Sequence, residues 1–292
     1  MAPLRYSHAL VCRVSSSFAE EDSAEQAKLQ HEAYVRALRD LGLDVIEMPP
    51  DETLPNCVYI EDTAIICNGI VLIAKPKDEK RLKETSLVCL VFLCSIFILS
   101  SFLSLSMPSD TPHQTIHFLP QSLLLPGSLL PSLMDFQFSS SYRQEFFVGI
   151  SDFTNEAGAR ALARAFPEFP CAPIKVPEKK HLKAFISMAG PEVLCISSEK
   201  ASQDVLKRIE REATFVYQTL TVPEEDAANV MYINGTLIHR ASEEIPQAAK
   251  IFTEKIDFNR KSLAVSYLCK NPMAHLSSCC LLLRKSKHIR SL

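Results

Sequence analysis

Polar residues able to do chemistry recur along this chain at nearly constant spacing. His181, Asn229 and Cys279 are 48 and 50 residues apart, and each lies at the end of an apolar run near a turn. The repeating unit reads as strand, polar residue, strand, helix, strand. One such unit cannot bury its apolar face alone, whereas copies arranged around a ring bury a continuous core. The spacing therefore predicts a closed, propeller-like arrangement with the polar residues converging near the axis. Glu61 holds the corresponding place in the first unit. A second-unit member is expected at roughly 110–130 from the ~50-residue period.

The stretch Leu54-Pro55-Asn56-Cys57-Val58-Tyr59-Ile60-Glu61-Asp62-Thr63-Ala64 sets two adjacent carboxylates in a run of strand formers. Buried charge is costly unless an opposite charge meets it. The partner is either an internal Arg or Lys or a cationic ligand. An internal ion pair is the commoner outcome.

Around these landmarks the pattern alternates between strands and helices. Tyr6 to Val14 reads as a strand and Ala19 to Leu41 as an amphipathic helix closed by Gly42. Asp44 to Met48 and Ile70 to Ala74 follow as strands. Later strands are expected at Phe146 to Ile150, Ile174 to Val176, His181 to Ile186, Val193 to Ser197 and Ser262 to Leu268. Helices are expected at Thr154 to Phe166, Ala201 to Ala213 and Glu243 to Ile256. Met231 to Ile233 and Thr236 to His239 should form a hairpin about Asn234-Gly235, a strong turn signal that also explains the glycosylation-like Asn234-Gly235-Thr236.

The net charge of −3 gives no footprint for nucleic acid. Ten cysteines without a C-x-x-C pair or an apolar leader read as reduced, buried thiols in an intracellular, cytoplasmic protein. Seven glycines leave little room for a phosphate-cradling loop, and no cofactor or metal is expected.

One segment breaks the pattern. Thr85 to Ser109 carries no charge, and Leu87 to Met107 is long enough to span a bilayer. Between Thr85 and Tyr142 only Asp110 and Asp135 are acidic, with no Lys or Arg. A span in the middle of a closed fold would have to leave it and re-enter, so translated non-coding sequence or an insertion is preferred to a membrane anchor. The chain then divides into 1–84 and 143–284 as two parts of one propeller domain, 85–142 as an atypical apolar segment, and 285–292 as a basic tail.

Cys279, preceded by Ser277-Ser278 and followed by Cys280, together with His181 suggests a thiolate nucleophile served by an imidazole. Glu61 and Asp62 suit a planar cation such as guanidinium. The blocks LGLDVIEMPPDETLPNCVYIEDTAIICNG (Leu41 to Gly69), EFFVGISDFTNEAGA (Glu145 to Ala159), HLKAFISMAGPEV (His181 to Val193), LTVPEEDAANVMYIN (Leu220 to Asn234) and HRASEEIPQAAKI (His239 to Ile251) resemble the dimethylarginine dimethylaminohydrolases, of the guanidine-modifying pentein superfamily.

The resemblance implies a five-bladed α/β propeller of ββαβ units, with blade two disrupted by the apolar segment. It implies hydrolysis of asymmetric dimethylarginine or monomethylarginine to citrulline and a methylamine through a Cys-thiouronium intermediate. That activity relieves inhibition of nitric oxide synthesis. By position Cys279 is the nucleophile, with Cys280 as rival, and His181 is the general acid/base. Glu61 and Asp62 bind the substrate, Arg81 meets its carboxylate, and Asn56 stands where the family usually has Asp. Phe153 stands where members often carry an Arg. The family's Asp-Gly-Gly-Asp stretch, whose first Asp orients the His, is absent before Glu145; Asp135 is a substitute without the glycines. The implied partner is a small methylated arginine, on a monomer or weak dimer without nucleic acid or membrane. The alternative is a catalytically impaired binding protein on the same scaffold.

Overall fold

The structure is a computed structural model and describes residues 5–67, 70–74, 81–89, 92, 137–139, 144–177, 180–271 and 274–284. Fourteen strands form five small sheets among the described residues. Two sheets show the pattern in full. Strand β8 (Ile186–Gly190) pairs antiparallel with β9 (Val193–Ser197), and β10 (Gln218–Val222) returns parallel to β9. Strand β11 (Met231–Ile233) pairs antiparallel with β12 (Thr236–Arg240), and β13 (Asn259–Leu263) returns parallel to β12. Strands β5 (Gln137–Ser139), β6 (Gln144–Ile150) and β7 (Cys171–Lys175) repeat this order. The two ends of the chain build a fourth copy, with β14 (Leu281–Arg284) antiparallel to β1 (Tyr6–Cys12) and β2 (Asp44–Met48) parallel to it. The remaining sheet pairs β3 (Ala64–Cys67) with β4 (Ile70–Ile73).

Each parallel return is made through a helix, as a parallel crossover requires. Helix α1 (Glu21–Asp40) links β1 to β2, α2 (Glu156–Ala165) links β6 to β7, α3 (Lys200–Glu212) links β9 to β10, and α4 (Pro246–Lys255) links β12 to β13. Their buried faces follow helical spacing: Ala27, Tyr34, Val35 and Leu38 on α1, and Val205, Leu206 and Ile209 on α3. Burying each larger aliphatic side chain stabilises the fold by about 1.5–3 kcal/mol. The ends are set locally. Gly42, at φ 80°, donates to Arg39 O (2.9 Å) while Leu43 donates to Leu38 O (3.3 Å), a paired closure of α1 that favours glycine. Asn155 caps α2 by accepting from Gly158 N at 2.9 Å. Asn234 and Gly235, at φ 51° and 89°, make the expected hairpin turn. The Asn234 side chain also clips β1, exchanging hydrogen bonds with Tyr6 N and O (2.9 and 3.0 Å).

Three expected strands are placed differently. The carboxylate stretch is not extended until Ala64. Successive turns, Cys57 N to Leu54 O (3.0 Å) and Tyr59 N to Asn56 O (3.0 Å), lead into a short 3-10 turn at Ile60–Thr63 that carries Glu61 and Asp62. Pro55-Asn56 is turn chemistry, and it outweighs the β propensity of the neighbours. His181 precedes a 3-10 turn at Leu182–Ala184, so the strand begins at Ile186. Residues 264–268 also leave the sheet. Their backbone N–H groups are taken by side chains: Glu244 Oε1 accepts from Val265 and Ser266 (2.8 and 3.1 Å), and Gln30 Oε1 from Tyr267 and Leu268 (2.9 and 3.0 Å). The polar positions that recur in the sequence therefore sit just before the first strand of a sheet, on or beside a 3-10 turn, rather than at a strand end.

The nine described cysteines are free. No helix among the described residues is long and apolar enough to cross a membrane. Most of Leu87 to Met107, the expected unit member near 110–130, Asp135 and the basic tail lie outside the described residues.

Candidate active site

Four 3-10 turns carry the candidate residues: Ile60–Thr63 before β3, Leu182–Ala184 before β8, Glu225–Ala228 before β11 and Leu276–Cys279 before β14. Asn229, immediately after the third, ties its neighbours together. Its Nδ2 donates to Lys183 O (3.1 Å) and Ser277 Oγ (3.3 Å), and its Oδ1 accepts from Ser277 N (3.1 Å).

The two carboxylates face internal cations. Lys183 Nζ, on a side chain only 4% exposed, donates to Glu61 Oε2 at 2.8 Å and Asp62 Oδ1 at 3.2 Å. Arg81 reaches Asp62 Oδ2 at 2.8 Å, Glu84 Oε2 at 2.9 Å through Nε, and Tyr59 O at 3.2 Å. Ser277 Oγ donates to Glu61 Oε2 at 3.1 Å. Burial opposes the Asp62 carboxylate, but Lys183 and Arg81 outweigh it and hold the group below the usual range. Among the described residues Glu61 has Lys183 as its cationic partner, and burial wins, raising its carboxyl. Neighbouring carboxylates that share one ammonium are thus driven in opposite directions.

His181 is buried, and its ring stacks on Phe153 with centroids 4.4 Å apart. Burial, then the nearby Lys183 charge, lowers its pKa to about 4, so the imidazole is neutral at physiological pH. Its Nδ1 has no hydrogen-bond partner among the described residues. Cys279 is fully buried; burial first, then neighbouring Cys269 and Cys280, raises its thiol well above the ordinary value, against a lowering from Lys183. Cys280 differs, since Tyr34 Oη donates to its Sγ at 3.2 Å, although burial still pushes that thiol to about 12.

Residues of all five sheets, among them Ile65, Phe146, Met188, Met231 and Leu281, line one cavity of about 200 Å³. Glu61, Lys183, Asn229, Ser277 and Cys280 are among its polar lining, with Tyr6, Ser187 and Tyr232, whereas Cys279, His181 and Asp62 are not part of its wall.

The structure thus joins Glu61, Asp62 and Arg81 in one network and sets His181 and Cys279 within its electrostatic reach. Arg81 is engaged on Asp62 and Glu84 rather than standing apart as a receptor for a carboxylate. Asn56 lies in the turn before the pair, its carbonyl accepting from Tyr59 N at 3.0 Å. Lys183 is the residue that the sequence reading passed over. A lysine between Leu182 and Ala184, two residues after His181 in an apolar block, was the available signal. No cluster of His, Cys, Asp and Glu able to hold a metal ion occurs among the described residues.

No family model matches the chain. It is 27% identical over 301 residues to the protein named DDAH2 in Bos taurus and in Homo sapiens, covering 97% of this chain and 96% of each relative; both names assign hydrolase activity only provisionally. It is 23% identical over 233 residues to the N(G),N(G)-dimethylarginine dimethylaminohydrolase of Pseudomonas aeruginosa, covering 78% of this chain and 79% of that one. Among solved structures, a dimethylarginine dimethylaminohydrolase bearing a 4-chloro-2-hydroxymethylpyridine adduct superposes with a TM-score of 0.65 at 20% identity, covering 95% of this chain and all of that one. The citrulline complex of a Pseudomonas aeruginosa enzyme variant gives 0.63 at 18% identity, covering 96% and 100%. The chain is thus similar to the dimethylarginine dimethylaminohydrolases and shares their α/β fold.

Proposed function

We propose that this chain hydrolyses a guanidine C–N bond, with asymmetric dimethylarginine or monomethylarginine as substrate and citrulline and a methylamine as products. The observation that carries this reading is the buried carboxylate pair. Glu61 and Asp62 share Lys183 at 2.8 and 3.2 Å, and Glu61 also lies in the wall of the common cavity. The pair lies in the field of a buried thiol and a neutral imidazole. A guanidinium entering there gains most from Glu61, whose carboxylate is the least compensated.

In this reading Cys279 Sγ, as thiolate, attacks the guanidinium carbon. His181 passes the thiol's proton to the departing methylamine, and the C–N bond breaks to leave a Cys-thiouronium. His181, neutral again, takes a proton from water, which adds to the same carbon. Collapse breaks the C–S bond, returns the proton to sulfur and frees citrulline. The bound cation favours the thiolate that burial otherwise disfavours. Cys280, whose thiol accepts from Tyr34 and lines the cavity, is the rival nucleophile. The five sheets are read as blades about the common cavity, with 1–84 and 143–284 forming one domain interrupted by 85–142 and followed by a tail at 285–292. Such a protein would act in the cytoplasm, as a monomer or weak dimer.

Citrulline release from dimethylarginine by the purified protein tests this. Cys279→Ser should abolish release and Cys280→Ser should retain most of it. Wild-type release no greater than that of Cys279→Ser would end the reading. The lack of a partner for His181 Nδ1 among the described residues favours a second one, binding without turnover. Where a hydrogen-bonded Asp orients the His of a protease triad, its loss costs about four orders of magnitude in kcat. Methylarginine binding by the wild type without citrulline release would select this second reading.

A further inference from the structure

Three buried imidazoles each leave a ring nitrogen without a partner among the described residues: Nε2 of His31, Nδ1 of His181 and Nε2 of His275. The last two belong to neighbouring rings. Buried polar atoms left unsatisfied are costly and call for an explanation. The two rings lie at right angles, with centroids 6.5 Å apart. Phe153 stacks on the same His181 ring at 4.4 Å with an interplanar angle of 28°. His181 therefore has two aromatic neighbours in different orientations, and no acceptor on Nδ1 among the described residues.

His275 is itself held firmly. Its side chain accepts from Ser278 N, while its own backbone N–H donates to Ser278 Oγ at 3.1 Å. With Nε2 unpartnered, the accepting atom is Nδ1, which places the proton of the neutral ring on Nε2. This reciprocal cap opens the 3-10 turn Leu276–Cys279, so the ring beside His181 is fixed to the turn that ends in Cys279.

We propose that Phe153 and His275 are positioning residues for His181, an aromatic clamp that restrains its ring where no hydrogen-bonded carboxylate among the described residues does so. The clamp acts by shape. Phe153 sets the plane of the imidazole, and His275 keeps it in register with the Cys279 turn. Its stacked face can also accept the imidazolium formed during proton transfer, since a cation over an aromatic ring is favoured. The proposal rests on the reading of His181 as the proton shuttle.

Kinetics and histidine-ring NMR on the full chain test it together. Phe153→Leu removes the stack and Phe153→Tyr keeps it. His275→Asn removes the ring but keeps a side chain suited to cap the turn. Phe153→Leu and His275→Asn should each lower kcat about tenfold with KM unchanged, as small misplacements of a catalytic group do, while Phe153→Tyr stays near wild type. In protein with labelled histidine, both should shift the His181 ring signals. If His275→Asn and Phe153→Leu leave kcat and the His181 signals as in wild type, the clamp is refuted and His275 is only a cap. If wild type shows no turnover, the proposed reaction fails instead, and the His181 signals alone decide the clamp: a shift in both variants upholds it, and unmoved signals refute it.

Discussion

The two halves of the candidate site are built on opposite terms. The carboxylate half is closely partnered. Glu61 meets Lys183 and Ser277, and Asp62 meets Lys183 and Arg81, which in turn meets Glu84 and Tyr59. In the imidazole half, His181 Nδ1 and His275 Nε2 have no partner among the described residues; His275 is tied to Ser278 by its reciprocal cap, whereas the His181 ring is held by ring contacts. Ion pairing of this density makes the first half part of what holds the fold together. The His181 ring is positioned by stacking, with no hydrogen bond at Nδ1 among the described residues, and there geometry can drift without unfolding the protein. A site of this kind keeps its charge while the imidazole is the part most sensitive to change.

The comparison can be broken most forcefully at Lys183. Lys183→Met leaves two buried carboxylates with one cation fewer, and stability should fall by about 3–5 kcal/mol at neutral pH, read by urea unfolding. A loss well under that would mean water already reaches Glu61 and Asp62. Next in size is acidification. His181 has a folded pKa lowered from 6.5 to about 4, so the stability it confers is present above pH 6.5 and is lost as pH falls towards 4. A shift of that size corresponds to roughly 3 kcal/mol. His31, also buried and lowered to about 4, acts in the same direction. Glu61 works oppositely, because a raised carboxyl confers stability that is present below 4.5 and lost as pH rises through its folded pKa. Unfolding at pH 7 and pH 5 should show the histidines winning, and the slope should be flatter in His181→Phe. Equal slopes in the two proteins would put His181 in contact with solvent. The smallest effect is expected from Glu61→Gln, which keeps the Ser277 contact and leaves Asp62 to compensate Lys183. Its stability should fall by about 1 kcal/mol or less. Binding of a methylarginine, followed by calorimetry, should weaken far more than stability does. Parallel losses would make Glu61 merely structural.

Much of this was legible in the residues. The hairpin at Asn234-Gly235, the closure of α1 at Gly42 and the cap at Asn155 are local chemistry, visible at short range. The recurrence of His181, Asn229 and Cys279 foretold that equivalent elements would carry them, because spacing survives folding. Their place within the unit was less legible. The short turns before the strands depend on i to i+3 bonds such as Ala184 N to His181 O (3.0 Å), which competed with a strand pattern and won. The strand expected through Leu268 failed because Glu244 and Gln30, distant in sequence, capture its backbone donors.

By itself the sequence determined the repeating unit and the carboxylate pair and marked a thiol and an imidazole as candidates, since these follow from residue type and spacing. Only the tertiary structure decided what those groups meet. Lys183 lies 122 residues from Glu61, and Ser277 lies 216 from it. Contacts across such separations exist only once the sheets have packed, and burial then sets which carboxylate is compensated, which is not, and which ring nitrogens are left without a partner.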